Sequence, residues 1–204
     1  IDLPKNSSLR RLYCFNNQLT QLDVTQSPNL IVLECDENQL TSMDVSQNLQ
    51  LISLDCRNNQ LTSLNLKNGN NGPISDMDCR NNTELFCIQV DNVAVSQNRE
   101  CDVGTFGWCI SPWMEYSVDC NLNVAEYASN SFRLYPNPAN DLLNLTSEEI
   151  IRFVSVYNFT GQLLFKANPE SLTTKINTSS YTNGTYFVKL VINDITYNHR
   201  FIKE

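Results

Sequence analysis

The stretch Leu12-Tyr13-Cys14-Phe15-Asn16-Asn17-Gln18-Leu19-Thr20-Gln21-Leu22-Asp23-Val24 sets a template, Leu-x-Cys-x-x-Asn-x-Leu-x-x-Leu-x-Val, that returns at a spacing of 21 residues. The same slots read Leu33, Cys35, Asn38, Leu40, Met43 and Val45, then Leu54, Cys56, Asn59, Leu61, Leu64 and Leu66. A fourth copy, Met77, Cys79 and Asn82, is delayed by two residues that fall in the Gly/Asn/Pro-rich stretch Asn68 to Pro73. A fixed period of this length predicts a solenoid, because so short a unit cannot bury its own apolar face and must stack on a neighbour.

Leu-x-Cys-x-x-Asn-x-Leu suits a short strand running into a turn. Alternate strand residues face opposite ways, so Leu12 and Cys14 point inward while Arg11, Tyr13 and Phe15 point outward. The row Asn17, Asn38, Asn59 and Asn82 is expected to be structural, each amide bonding main-chain groups left unpaired where the chain turns. The outward slots then carry Arg11, Tyr13 and Phe15; Val32, Glu34 and Asp36; Ser53, Asp55 and Arg57; and Asp76, Asp78 and Arg80. Glu34, Asp55 and Asp78 share one column and Asp36, Arg57 and Arg80 the next. Neighbouring strands about 4.8 Å apart would bring these charges within reach of one another.

The chain has 204 residues, enough for two modest domains. Its 14 Lys and Arg stand against 22 Asp and Glu, for a formal charge of −8. Without a basic run to neutralise phosphates, nucleic acid is excluded as a partner. No stretch approaches the roughly 18 to 20 apolar residues of a transmembrane helix, and no signal peptide is visible. Ile1-Asp2-Leu3, followed by Leu9 and Leu12, occupies the slots of Leu22-Asp23-Val24, Leu30 and Leu33. The chain is therefore expected to start in mid-repeat, as a piece of a longer protein.

Eight cysteines without a CxxC pair give no support for zinc. Cys14, Cys35, Cys56 and Cys79 fill one inward slot in successive coils, where a free thiol behaves as a small hydrophobe. Cys87, Cys101, Cys109 and Cys120 lie outside that ladder, in an irregular stretch with Trp108 and Trp113. They are expected to staple a cap on the last coil, which implies an oxidising compartment. Three pairings are open.

After Cys120 the polar segment Asn121 to Ser131 reads as a linker. Beyond it, runs rich in β-branched and aromatic residues alternate with turn signals: Phe132 to Tyr135, Leu142 to Thr146, Ile151 to Tyr157, Leu163 to Lys166, Thr173 to Asn177, Thr185 to Ile192 and Ile195 to Ile202. These predict a small antiparallel, Ig-like β-sandwich. The expected organisation is a solenoid over 1–120, with its cap from about 83, a linker at 121–131 and the sandwich at 132–204.

The repeat resembles the leucine-rich repeat, and more closely its 21-residue class in internalin-like bacterial surface proteins. The phrases Leu40-Thr41-Ser42-Met43-Asp44-Val45-Ser46 and Leu61-Thr62-Ser63-Leu64-Asn65-Leu66 carry that resemblance, together with the cysteine in each repeat. It covers about residues 1 to 92 and implies a parallel sheet on a concave side. Because similar proteins end in an LxCIxVD…C cap, it also implies Cys87 paired with Cys120 around an inner pair, Cys101 with Cys109.

Phe132 to Leu145, Val154 to Leu164, Asn183 to Val191 and the ending His199-Arg200-Phe201-Ile202-Lys203-Glu204 resemble the type A C-terminal sorting domain of the type IX secretion system. Tyr135-Pro136-Asn137-Pro138, Gly161 and Gly184-Thr185-Tyr186 occur in that family's order. The resemblance implies export through a Gram-negative envelope, the translocon and sorting machinery as partners of 132–204, and cleavage near Ala128 to Asn130. The product would be released or held at the outer-membrane surface.

No Ser/His/Asp motif, phosphate loop or HExxH motif appears, and His199 falls in a terminal strand. No catalysis, cofactor or metal is expected. Binding is, through Arg11, Tyr13, Phe15, Glu34, Asp36, Asp55, Arg57, Asp78 and Arg80, with an extracellular protein or a glycan as partner. The competing reading makes the repeats a spacer for an activity, hydrolytic for instance, encoded upstream.

Overall fold

In the computed structural model the described residues are 6–69, 73–99, 101, 107–120 and 132–204. The chain divides into two compact units, 1–120 and 121–204. The expected linker, its cleavage region and the register of Ile1 to Leu3 fall outside the described residues.

The first unit is a β-solenoid. Its strands are three residues long or shorter, since each is soon cut by a turn: β1 (Arg11–Tyr13), β2 (Val32–Glu34), β3 (Ser42–Asp44), β4 (Ser53–Asp55), β5 (Ser63–Asn65), β6 (Asp76–Asp78) and β7 (Cys87–Gln89). A five-residue helix α1 (Val93–Gln97) follows, capped by the Asn92 side chain accepting from Val95 N–H, and then β8 (Trp108–Cys109) and β9 (Glu115–Ser117). Two parallel sheets result, in the orders β1-β2-β4-β6-β8 and β3-β5-β7-β9.

The repeat register is the pairing register of the first sheet. Leu12 stands beside Leu33, Leu33 beside Leu54, Leu54 beside Met77 and Met77 beside Trp108. The second sheet is built by the Leu-Thr-Ser-Leu phrases, with Met43 beside Leu64, Leu64 beside Ile88 and Ile88 beside Tyr116. The residues from about 83 onward, expected as an irregular cap, thus contribute strands to both sheets. Trp108 fills the Leu slot, which selects for apolar bulk rather than for one residue type. It is buried, and its indole N–H donates to the Ile74 carbonyl at 2.9 Å. Disulfides join Cys87 to Cys120 and Cys101 to Cys109.

Asn38, Asn59 and Asn82 each clamp two coils, whereas the Asn17 amide donates to the Cys14 and Phe15 carbonyls of its own coil. The Asn59 amide donates to the carbonyls of Cys56 and Arg57 in its own turn and of Cys35 in the coil before, while its Oδ1 accepts from Leu40 N–H. Asn38 and Asn82 repeat the arrangement towards Cys14 and Cys56. A second buried Asn, Asn48, donates to the Val24 and Ser27 carbonyls on the other side of the coil. One position of each turn is left-handed, occupied by Asn16, Glu37, Asn58 and Asn81 with φ of 52°, 53°, 52° and 61°. Asn tolerates that conformation better than most residues.

The second unit is one antiparallel six-stranded sheet. It comprises β10 (Phe132–Tyr135), β11 (Leu142–Asn158), β12 (Leu163–Ala167), β13 (Ser171–Asn177), β14 (Gly184–Ile192) and β15 (Ile195–Lys203). Two of the expected strands, Leu142 to Thr146 and Ile151 to Tyr157, are halves of the single strand β11. No Gly or Pro lies between them to end pairing, and the irregularity is absorbed as register shifts near Ile151. The first half pairs with β10 and β13, the second with β12 and β14. Leu143, Leu145 and Ile176 from one end share a core with Val154, Val188 and Phe201 from the other, which requires the sheet to fold over on itself.

Candidate functional site

The outward face of the first sheet brings together the predicted positions on β1, β2, β4 and β6. Burial alternates as strand geometry demands: Tyr13 and Phe15 are 54% and 49% exposed around buried Cys14. Tyr13 lies beside Glu34, Glu34 beside Asp55 and Asp55 beside Asp78. The column expected from sequence is therefore a physical row. Val32, Ser53 and Asp76 form the adjoining row, beginning at Arg11.

Arg57 is the hub of the charges. Its guanidinium lies 3.7 Å from Asp36, 3.5 Å from Asp55 and 3.6 Å from Asp78. Arg80 grips Asp78 through two nitrogens, at 3.0 and 2.6 Å. Asp36 is nearly buried. Burial pushes the Asp55 carboxyl up to about 6 against the opposing effects of the Arg57 amide and guanidinium, with Asp36 and Asp78 adding like-charge repulsion. The two Arg are thus held within the face by these carboxylates, each side chain 40% exposed.

Beneath the face, Cys14, Cys35, Cys56 and Cys79 are free, buried thiols. Desolvation raises all four pKa values, so little of the reactive thiolate forms. Among the described residues no group of His, Cys, Asp and Glu side chains is arranged to hold a metal ion.

In the second unit the Tyr135-Pro136-Asn137-Pro138 segment is exposed, with both X-Pro bonds cis. It is strapped to the last strand: Asn137 Oδ1 accepts from Ile202 N–H at 2.9 Å, and Ala139 N–H donates to the Ile202 carbonyl at 2.7 Å. Gly161 takes a φ of 81° in the turn after β11, where Asn158 Oδ1 accepts from Thr160 and Gln162 N–H. Gly184 opens β14. Buried Tyr186 stacks between Tyr181 and Phe201, and its hydroxyl donates to the Thr182 carbonyl at 2.6 Å. A groove runs past Asn158, Phe159, Leu164, Tyr181 and Tyr186. His199 lies edge-on against Phe132 and pairs with Val188 on β14. No helix among the described residues is long and apolar enough to cross a membrane.

Together these features describe a two-unit chain, a β-solenoid with an open parallel sheet face and an antiparallel β unit bearing an ordered motif. Residues 133–204 match the family described as the secretion system C-terminal sorting domain. No curated protein matches the chain.

Among solved structures it is similar to PorZ of Porphyromonas gingivalis, an essential bacterial surface component of the type-IX secretion system. That likeness has 20% identity over 36% of this chain and 11% of that one, with a TM-score of 0.32. It is also similar to the functional domain of InlJ from Listeria monocytogenes, which includes a cysteine ladder, at 18% identity over 100% and 59% with a TM-score of 0.31. The CBM51-2 and INT domains of Clostridium perfringens ZmpB match at 11% identity over 97% and 30%, with a TM-score of 0.28. The chain spans less than two thirds of each of these chains, and the fold described above rests on its own geometry.

Proposed function

We propose that this chain is a non-catalytic protein-binding module of the internalin-like leucine-rich-repeat kind, adhesive in use, exported by the type IX secretion system to the surface or exterior of a Gram-negative bacterium. The observation that carries the export half is the sorting-domain match over residues 133–204. It is supported by the Tyr135-Pro136-Asn137-Pro138 segment being strapped to the final strand, so that the motif and the C-terminus form one surface. The binding half is supported by the exposed Tyr13 and Phe15 beside a row of carboxylates, since exposed aromatics are common interface anchors. Four coils present about a dozen outward positions against the 20 to 30 residues of a standard interface, so this chain binds weakly by itself.

Deleting Phe132 to Glu204 in the native host tests export. The truncated protein is expected to accumulate in the periplasm, and its normal appearance outside the cell would refute the sorting role. Adhesion is tested separately by surface capture of host extracellular proteins and glycans with the intact chain and with Tyr13→Ala/Phe15→Ala. Loss of capture in the variant supports recognition through this face.

A further inference from the structure

We infer that the outward face of the first sheet docks an extended, basic segment of a partner protein, with one Lys or Arg side chain seated against Tyr13, Phe15 and Glu34. This deepens the binding reading above and rests on it. Three observations converge on cationic chemistry.

The first is charge. Glu34, Asp36, Asp55, Asp76 and Asp78 face Arg11, Arg57 and Arg80, an excess of two negative charges on one small face. The second is which charges are spoken for. Arg57 and Arg80 are engaged by Asp36, Asp55 and Asp78, whereas Glu34 has no ion-pair partner among the described residues and is only partly buried. The third is position. Glu34 stands directly beside Tyr13 in register, and Phe15 follows Tyr13 on the same side, both rings about half exposed. Two ring faces with a carboxylate alongside are complementary to a cation with an aliphatic stem, through cation–π attraction and charge pairing. An acidic segment would meet Glu34 and the net negative charge of the face, with only Arg11, at the end of the adjoining row, to attract it.

An extended segment suits the shape. The row from Tyr13 to Asp78 crosses four strands, about 14 Å at ordinary strand spacing, the length of roughly four extended residues. A basic side chain at the Tyr13 end leaves the following residues over Asp55 and Asp78.

The test uses the intact chain and fluorescein-labelled Gly/Ser peptides bearing Arg at alternate positions, against the same peptide with Gln or with Glu, read by anisotropy. The Arg peptide should bind about tenfold more tightly than either control and lose most of that advantage when salt shortens the screening length. Tyr13→Ala and Glu34→Gln should each weaken it about fivefold with unchanged thermal melting. Glu148→Gln/Glu149→Gln, which removes exposed carboxylates in the other unit, should leave it unaltered. Equal binding of all three peptides, or an effect of the Glu148/Glu149 change as large as that of Glu34→Gln, overturns the inference. Preference for the Gln or Glu peptide that Tyr13→Ala abolishes also overturns the basic-segment assignment, yet leaves recognition by this face standing.

Discussion

The side-chain amide of Asn59 donates to the carbonyl of Cys35, 24 residues earlier, at 3.0 Å. That bond joins one coil to the next and is repeated from Asn38 to Cys14 and from Asn82 to Cys56. Asn59→Ala strips partners from three carbonyls and from Leu40 N–H in a buried setting. It is expected to destabilise the solenoid by about 2–4 kcal/mol, from a cost of roughly 1–3 kcal/mol per stranded buried group with partial relaxation. Urea unfolding followed by circular dichroism measures this; a loss below about 0.5 kcal/mol would show the clamp to be dispensable.

Glu37 occupies the left-handed position that Asn16, Asn58 and Asn81 hold in the other coils. Asn81 also donates to Asn58 Oδ1 at 2.8 Å, a ladder that stops where Glu37 begins. Glu37→Asn is expected to stabilise the protein by about 0.5–1 kcal/mol, through relief of an unfavourable conformation. A rise in melting temperature checks it, and a fall would mean that the Glu37 carboxylate makes a compensating contribution.

Burial sets the reactivity of the thiols. With a disulfide reagent such as DTNB, the native protein should show essentially none of its four ladder thiols, and the denatured, unreduced protein all four. Cys56→Ser is expected to cost about 1–3 kcal/mol, because it buries a hydroxyl in a slot built for sulfur. More than four titratable thiols after denaturation without reductant would contradict the two disulfides.

Asp55 makes stability depend on pH in an unusual direction for a carboxylate. Its folded pKa, pushed up to about 6, lies above the ordinary value of 3.8. Below about pH 4 both states are protonated and the group contributes nothing. Between about 4 and 6 the unfolded chain ionises first, so stability falls as pH rises and stays lower above 6. Asp55→Asn is expected to match the parent at pH 4 and to exceed it at pH 7 by about 1–2 kcal/mol, a shift at 1.36 kcal/mol per pKa unit discounted for partial exposure. Equal stability of the two at pH 7 would sink the assignment.

Much of this architecture could be read from the 21-residue template because every coil must bury the same slots. Leu33, Leu54 and Met77 recur for that reason, and so do the thiols beneath the sheet. Trp108 and Tyr116 belong to the same two rows but carried no such signal. They are reached through a helix and loops of different length, and a slot that asks only for apolar bulk accepts an indole or a phenol. In the second unit the alternating pattern of Leu142 to Thr146 and Ile151 to Tyr157 marked the strand segments. Their fusion into β11 depends on partners on both flanks, β13 and β14, which no local pattern specifies.

By itself, then, the sequence determined the stacked coils, the inward thiols, the Asn row and the presence of a second, antiparallel unit bearing a sorting motif. Those features follow from burial and turn chemistry repeated along the chain. Only the tertiary structure decided that Arg57 is held among Asp36, Asp55 and Asp78 while Glu34 stands beside Tyr13 with no ionic partner among the described residues. Charges in different coils are 21 or more residues apart in sequence, and their energies depend on ångström separations and burial that arise when the coils stack.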